Sequence, residues 1–549
     1  MTNYAIHYEA SAYSFRERVM GRQSAGAAFM QAIADTRPSH ITCYARNKAA
    51  AEDCAQTLAN LGAARTGVNF VPFDQPQKLA GVGLLYRPDP AIGQQAWHRL
   101  ARSNPRAYSL CGITHTISSH GPMSAFADYL TAPLEPWDAV ICTSRVARDA
   151  VRHVLERQAE YLKSRVGANR FTLPQLPVIP LGVHTRQFSM SFDARLAARA
   201  RLGIADDEVA FLFAGRLVVH GKAHPLPMYQ ALEQAAEGRK VVLIQAGQAP
   251  GREMLAMFTE EPKRFCPSVR IIMADGGDSE LYRSAWAAAD VFTSLSDSFQ
   301  ETFGLTPLEA MSAGLPVVVS DWNGYKDTVR DGVDGFRVPT LTLPPGRGSE
   351  LADRHDFGVD NFDYYSAYMG QLVAVDVEAT VQAYRRLIDD PALRQRMGAA
   401  GLKRAREQFD WTVIFQRYLA LWAELAERRR ADPQLMPPLP ITRRPDRADP
   451  FSMFASYSTL HVGSSVSFRL RAGMDVSEAI SRRDLPSTNF AKPILPPPTL
   501  IAALIDTAAS DWTSFDDLAR AAAGTKSEAV ASALVWLSKV GVLDFRSQS

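Results

Sequence analysis

The stretch Ser294 to Val319, SLSDSFQETFGLTPLEAMSAGLPVVV, decides the fold of this chain. A strand ends near Ser294, a loop follows, and a helix opens around Gly304 to Pro307. Proline suits that first turn because the N–H it lacks would have no partner there. Gly314 closes the helix, and Pro316 to Val319 begins the next apolar strand. Free amides at such a helix start, with the positive end of the helix dipole behind them, make a ready anion site. Glu301 stands in the loop and Glu309 inside the helix, with seven residues between them. One carboxylate can face a cleft while the other accepts hydrogen bonds from ligand hydroxyls.

Working outward, Val209 to Ala214, Val241 to Ala246, Val269 to Met273, Val291 to Ser294 and Val317 to Ser320 read as strands. Pro227 to Glu237 and Leu281 to Ala289 read as helices between them. Strands separated by helices of roughly 10–15 residues imply parallel βαβ units and a doubly wound sheet. The same habit occupies the chain up to about residue 190: Tyr4 to Ile6, Ile41 to Tyr44, Tyr108 to Thr114, Ala139 to Cys142 and Val178-Ile179. Apolar runs that do not alternate are typical of strands covered on both faces. The expected fold is therefore α/β, with two doubly wound domains facing a cleft.

The segment Phe213-Ala-Gly-Arg-Leu-Val-Val-His-Gly-Lys222 delivers Gly215 and Arg216 to a strand's C-terminal end, with Lys222 on a short loop. Open α/β sheets bind ligands at such ends. An arginine and a lysine there can neutralise a diphosphate leaving group.

Here the sequence resembles glycosyltransferase family 4, the retaining family with two Rossmann-like domains in the GT-B architecture. The resemblance rests on Glu301-x7-Glu309 followed by Ala310 and Gly314-Leu-Pro-Val, and on Gly215-Arg216 with Lys222 behind it. Val140 to Ser144, Ile179 to Val183 and the Phe409-Asp-Trp411 helix agree more weakly. It implies transfer of a hexose from a nucleotide-diphosphate sugar to an acceptor hydroxyl, with retention at the anomeric carbon. Glu309 would hold the donor ribose, and Glu301 the transferred sugar. Phe303, Gly304, Leu305 and Thr306 would meet sugar or phosphate through the backbone. Arg216 and Lys222 would clamp the diphosphate beside Gly215, and backbone near Met273 and Ala274 would receive the base. His115, after a strand of the first domain, would be an active-site histidine. Gly21, in Gly21-Arg-Gln-Ser-Ala-Gly26, would lie in a glycine-containing loop before the first helix. His184 stands where many relatives carry an acidic residue, and it receives no role. Neither a metal nor a cofactor is expected beyond the nucleotide sugar itself. A sugar-nucleotide epimerase of the same fold and a non-catalytic scaffold are the competing readings.

The expected domains are 1–190, an acceptor-side Rossmann-like domain, and 191–408, the donor domain. Then come 409–427, an aromatic helix crossing back to the first domain, and 428–454, a Pro/Arg-rich linker. Residues 455–549 form a small winged-helix-like module, with Thr525-Lys-Ser-Glu528 read as a capping box and Gly541 as a helix stop. That module is expected to contact a protein or peptide, and the acceptor is not readable. Residues 341–375 read as a surface insertion.

Bulk properties fit these expectations. At 549 residues the chain exceeds one core. The formal net charge of +2 carries no field that would draw nucleic acid, which is not expected as a partner. No apolar run approaches the roughly 20 residues of a membrane span. The opening MTNYAIHYEASAYSFRERVM has neither the basic start nor the apolar stretch of a signal peptide. Five unpatterned cysteines suit a reducing compartment. A cytoplasmic location, with room for a peripheral position at the inner membrane, is expected.

Overall fold

The computed structural model describes residues 3–13, 21–432, 441–508 and 511–547. They fall into two compact units, Met1–Arg444 and Pro445–Ser549. The larger unit holds two six-stranded parallel sheets. The first comprises β1 (Ala5–His7), β2 (His40–Ala45), β3 (Gly67–Pro72), β4 (Leu84–Tyr86), β5 (Ser109–Ile113) and β6 (Ala139–Ile141). Their spatial order is β3-β2-β1-β4-β5-β6. The second comprises β7 (Val209–Ala214), β8 (Val241–Gly247), β9 (Arg270–Asp275), β10 (Val291–Ser294), β11 (Val317–Ser320) and β12 (Gly335–Val338). Its order, β12-β11-β10-β7-β8-β9, is the same winding read from the other edge. Each sheet thus reverses direction once, at β1/β4 and at β7/β10. Those two switch points are where open α/β sheets leave a crevice for ligand.

The continuous apolar strands came out as expected, β7 and β10 to the residue. Three strands of these two sheets escaped the sequence reading. β3 is half-exposed, so its apolar residues form no run, and β4 and β12 are only three and four residues long. Val178-Ile179 makes an isolated bridge to Cys142 rather than a strand.

The helix Trp411–Ala431 packs its aromatic stripe on the first sheet. Trp422 lies 4.7 Å from Tyr4 and 5.7 Å from Tyr86 between ring centroids, and Phe415 stands edge-on to Phe29. Asp410 caps this helix through Thr412 N and accepts from Thr185 Oγ1 at 2.6 Å. Val183 and Phe409 bond backbone to backbone, and Trp411 lies flat on Gly182, where a Cβ would meet the ring at 2.4 Å. That is the physical content of the Gly-Val signal at 182–183. The helix is longer than expected, so Arg428 to Arg430 form its last turn and do not begin a linker. Basic residues there complement the helix dipole. Arg429 also donates to Gly83 O and Ser109 Oγ, tying the helix end to the first domain.

One ion pair lies entirely inside the first domain. Arg99 donates to both carboxylate oxygens of Asp138 at 2.7 Å, and both side chains are fully buried. Asp138 also accepts from Leu110 N and Glu135 N, so its oxygens are saturated. Removing one partner leaves a buried charge alone. Asp138→Ala is expected to cost roughly 3–5 kcal/mol in a urea titration. A loss below about 1 kcal/mol would show that this pair does not organise the domain.

Residues 341–375 are inserted, as expected. The antiparallel pair β13 (Thr340–Thr342) and β14 (Val373–Val375) encloses the helices Ser349–Asp356 and Phe362–Gly370.

In the smaller unit, helix Pro498–Thr507, strand β16 (Thr513–Ser514), helices Phe515–Ala521 and Ser527–Lys539, and strand β17 (Leu543–Ser547) follow in order. The central strand is β15 (Val466–Leu470), from the N-terminal side. The module's sheet thus takes its central strand from before these helices and one edge strand, β17, from after the last of them. The expected capping box does not form. Helix Ser527–Lys539 has Lys526 at its N-cap, with no side-chain cap. Gly541, at φ 74°, ends the helix as anticipated. Among the described residues no helix is long and apolar enough to cross a membrane.

Candidate functional site

The β7/β10 switch point gathers the expected donor residues. β10 ends at Ser294, and the loop beyond carries Glu301 to the helix Leu305–Ser312. Gly304 caps that helix at φ 86°, and a side chain there would stand 2.0 Å from the Tyr325 ring. Only glycine fits both demands. The first-turn amides of Leu305 and Thr306 have no intrahelical acceptor and remain available to an anion. Glu309 lies one turn further on.

β7 supplies the opposing wall. Gly215, at φ 141°, turns the chain, Arg216 follows, and the loop returns with Lys222. The Lys222 ammonium meets Glu301 Oε2 at 2.9 Å, with side chains only 20% and 16% exposed. Burial disfavours the ammonium, but Glu301 and then Tyr325 more than offset it, so Lys222 titrates above its ordinary range. Burial likewise pushes Glu301 up. Lys222, helped by the amides of Phe303 and Gly304, outweighs that and holds it below the usual carboxylate value. Glu309 has no such partner. Burial pushes its carboxyl up to about 7, with Lys222 pulling only weakly the other way. Near neutrality Glu301 is thereby ionised while Glu309 stands in the middle of its titration.

Met273 and Ala274 lie in the body of β9. Met273 Sδ accepts from Gln245 Nε2 and packs, partly buried, against the domain core, and the strand ends at Asp275. His115 follows β5 and lines a cavity with Gly26, Phe29, Tyr86, Pro88 and Trp411 on the first-domain side. Gly21 requires correction. It opens the helix Gly21–Asp35, so Gly21 to Gly26 are helical and form no loop ahead of it. Gly26 is small for packing, since a Cβ there would lie 2.0 Å from Ala12 O. His184 bonds Ala28 O at 3.0 Å and serves the same helix.

Several residues of the site were not anticipated. Ser144 Oγ donates to Thr302 O at 2.7 Å while accepting from Ala147 N, so one hydroxyl caps a first-domain helix and holds the Glu301 loop. Arg145 next to it pairs with Asp327. Asp297, 4% exposed, accepts from His224 N, and burial pushes it up to about 7. At the β1/β4 switch point Arg87 donates to Asp89 and to the His7 ring. Burial, followed by Arg87, pushes His7 down to about 3. The imidazole is thus neutral and accepts from the guanidinium.

Comparison with known proteins bears on this geometry. Residues 195–341 match the family described as Glycosyl transferases group 1. The D-inositol 3-phosphate glycosyltransferase of Xylanimonas cellulosilytica is 30% identical over 305 residues, 54% of this chain and 62% of the relative. That of Geodermatophilus obscurus is 29% identical over 326 residues, 56% of this chain and 60% of the relative. The chain thus spans about three fifths of the length of these curated relatives. The crystal structure of Anabaena HepE in complex with UDP superposes with a TM-score of 0.51 at 17% identity, covering 77% of this chain and all of that one. The chain accordingly has the GT-B fold, two Rossmann-like domains, and its residues 195–341 are similar to the glycosyl transferases group 1 family.

Proposed function

We propose that this chain is a retaining glycosyltransferase that moves a hexose from a nucleotide-diphosphate sugar to an acceptor hydroxyl. The observation that carries the reading is the Glu301–Lys222 pair beside Glu309 and the Leu305 helix start, at a topological switch point. Glu309 receives the ribose hydroxyls, and Glu301 the hydroxyls of the transferred sugar. Arg216, Lys222 and the amides of Leu305 and Thr306 surround the diphosphate. As the bond from the anomeric carbon to phosphate breaks, negative charge grows on the phosphate oxygens, where those donors stabilise it. The acceptor oxygen bonds to the anomeric carbon on the same face, and its proton passes to the leaving phosphate. His115 lies on the acceptor side. Positive charge from Arg216 and Lys222 stands in for a metal ion, so metal-independent transfer is part of the proposal.

UDP is the first nucleotide to test, because the HepE structure holds it, and phosphorylated cyclitols belong among the acceptors, because of the relatives' names. The smaller unit is proposed to contact a protein or peptide, and the whole to work in the cytoplasm. The protein is to be incubated with α-linked UDP-, GDP- and ADP-hexoses and an acceptor panel, and followed by proton NMR. One donor is expected to be consumed, and its product to carry an α-anomeric signal. A β-anomeric product would overturn retention, and an intact set of donors would overturn the transferase reading.

A further inference from the structure

We propose that residues 343–372 form a cover that closes one mouth of the cleft and keeps water from competing with the acceptor for the donor sugar. The inference rests on the nucleotide-sugar reading above. Its structural part stands separately. The helix pair of the insertion sits on the donor loops from one side. Ser366, 1% exposed, donates to His220 O at 2.9 Å, and His220 belongs to the loop between Arg216 and Lys222. Asp363 lies 3.9 Å from His220 Nε2. Gly370 comes close to Asp297, with a Cβ position 3.9 Å from its carbonyl and carboxylate oxygens.

From its other side the same helix pair reaches the first domain. His355 stacks on His120 with ring centroids 4.0 Å apart and planes 23° apart. Tyr365 continues the stack behind His355 at 4.5 Å and 10°. His120 stands five residues after His115 and opens the helix His120–Asp128. The insertion therefore spans from the diphosphate loop of one sheet to the loop that carries His115 on the other. The rest of the turn is built to hold that ring. Arg354 pairs with Asp360 at 2.8 Å, and His355 Nδ1 donates to Asp360 O at 2.9 Å. The other ring nitrogen, Nε2, is buried without a hydrogen-bond partner, so the ring is held by its stacking and by the Nδ1 bond. Excluding water from a closed site is what protects an activated sugar from hydrolysis.

The register supplies a clean excision. Thr342 faces Val373 across β13 and β14, so a two-residue Asn-Gly turn can replace residues 343–372. Wild type, the excised chain and His355→Ala are compared for UDP binding by melting midpoint and for UDP-glucose hydrolysis without added acceptor. The excised chain is expected to keep its UDP-induced rise in midpoint while its hydrolysis increases about tenfold. His355→Ala is expected to show a smaller increase. Unchanged hydrolysis in an excised chain that still binds UDP would overturn the proposal. A joint fall of hydrolysis and UDP binding would also overturn it, making the segment a wall of the donor site. Failure of UDP to bind wild type would count against the donor reading instead. In that case the cover is judged with His120→Cys/His355→Cys and a short bismaleimide, since the five native cysteines are buried. A cross-link between the two positions is expected, and its absence would overturn the cover.

Discussion

Replacing Lys222 by methionine is expected to lower transfer by about 10²–10³-fold while changing UDP affinity much less. The reason is geometric. Lys222 holds Glu301 at 2.9 Å in a largely buried pair, beside the loop that ends in the Gly304 cap. In the proposed reaction the ammonium faces charge that appears on the leaving diphosphate only as the bond from the anomeric carbon to phosphate breaks. Groups that act there stabilise the transition state more than the bound donor, so the loss falls on kcat. Methionine keeps the stem's packing and removes the charge, which also leaves Glu301 unpaired. The side chains are 20% and 16% exposed, so water screens part of that loss, and a destabilisation of about 2 kcal/mol is expected. Steady-state kinetics with a urea titration separate the two effects. A variant with normal kcat and lowered stability would reduce Lys222 to a structural partner.

Replacing Glu309 by glutamine is expected to weaken the nucleotide and strengthen the empty protein. Burial raises this carboxyl to about 7. Between its ordinary value near 4.5 and about 7 the folded protein binds more protons than the unfolded chain. By linkage, stability then falls as pH rises through that window. Above it the full penalty for a buried carboxylate applies. Glutamine has none, so the variant should gain at most about 3 kcal/mol at pH 8 and little at pH 4. In the proposed function the same carboxylate, once deprotonated, accepts two ribose hydroxyls, contacts worth roughly 1.5–3 kcal/mol with a charged acceptor. UDP should therefore bind wild type more tightly at pH 8 than at pH 6. Glutamine should bind it about tenfold or more less tightly at pH 8, with a flatter pH profile. This opposition of stability and binding is characteristic of a group placed for its ligand.

The parts of the molecule legible in the sequence are those that depend on near neighbours. β7 and β10 are continuous apolar runs, and Pro307 and Gly314 bracket the intervening helix, so chain order alone locates Glu301 and Glu309. The Lys222–Glu301 pair joins residues 79 positions apart, and Ser144–Thr302 joins residues 158 apart. Neither distance leaves a local trace. His355 and His120 likewise read as unrelated histidines until the insertion folds across. Two of the three signals that the structure corrects are local patterns overridden by packing. Gly21 to Gly26 look like a loop, but Gly26 is small because Ala12 O lies against it. Thr525 to Glu528 look like a capping box, but the helix begins two residues after Thr525. Arg428 to Arg430 were misjudged for another reason: three arginines beside a proline-rich stretch resemble a linker, yet the helix dipole and Gly83 O give them partners.

The central claim is that Glu309 and its surroundings bind a nucleotide diphosphate, and calorimetric titration of UDP, GDP and ADP at pH 8 tests it most directly. One of the three is expected to bind wild type with measurable heat, and Glu309→Ala is expected to bind it at least about tenfold more weakly. Equal affinity in the two proteins, or no binding of any of the three to wild type, would contradict the account.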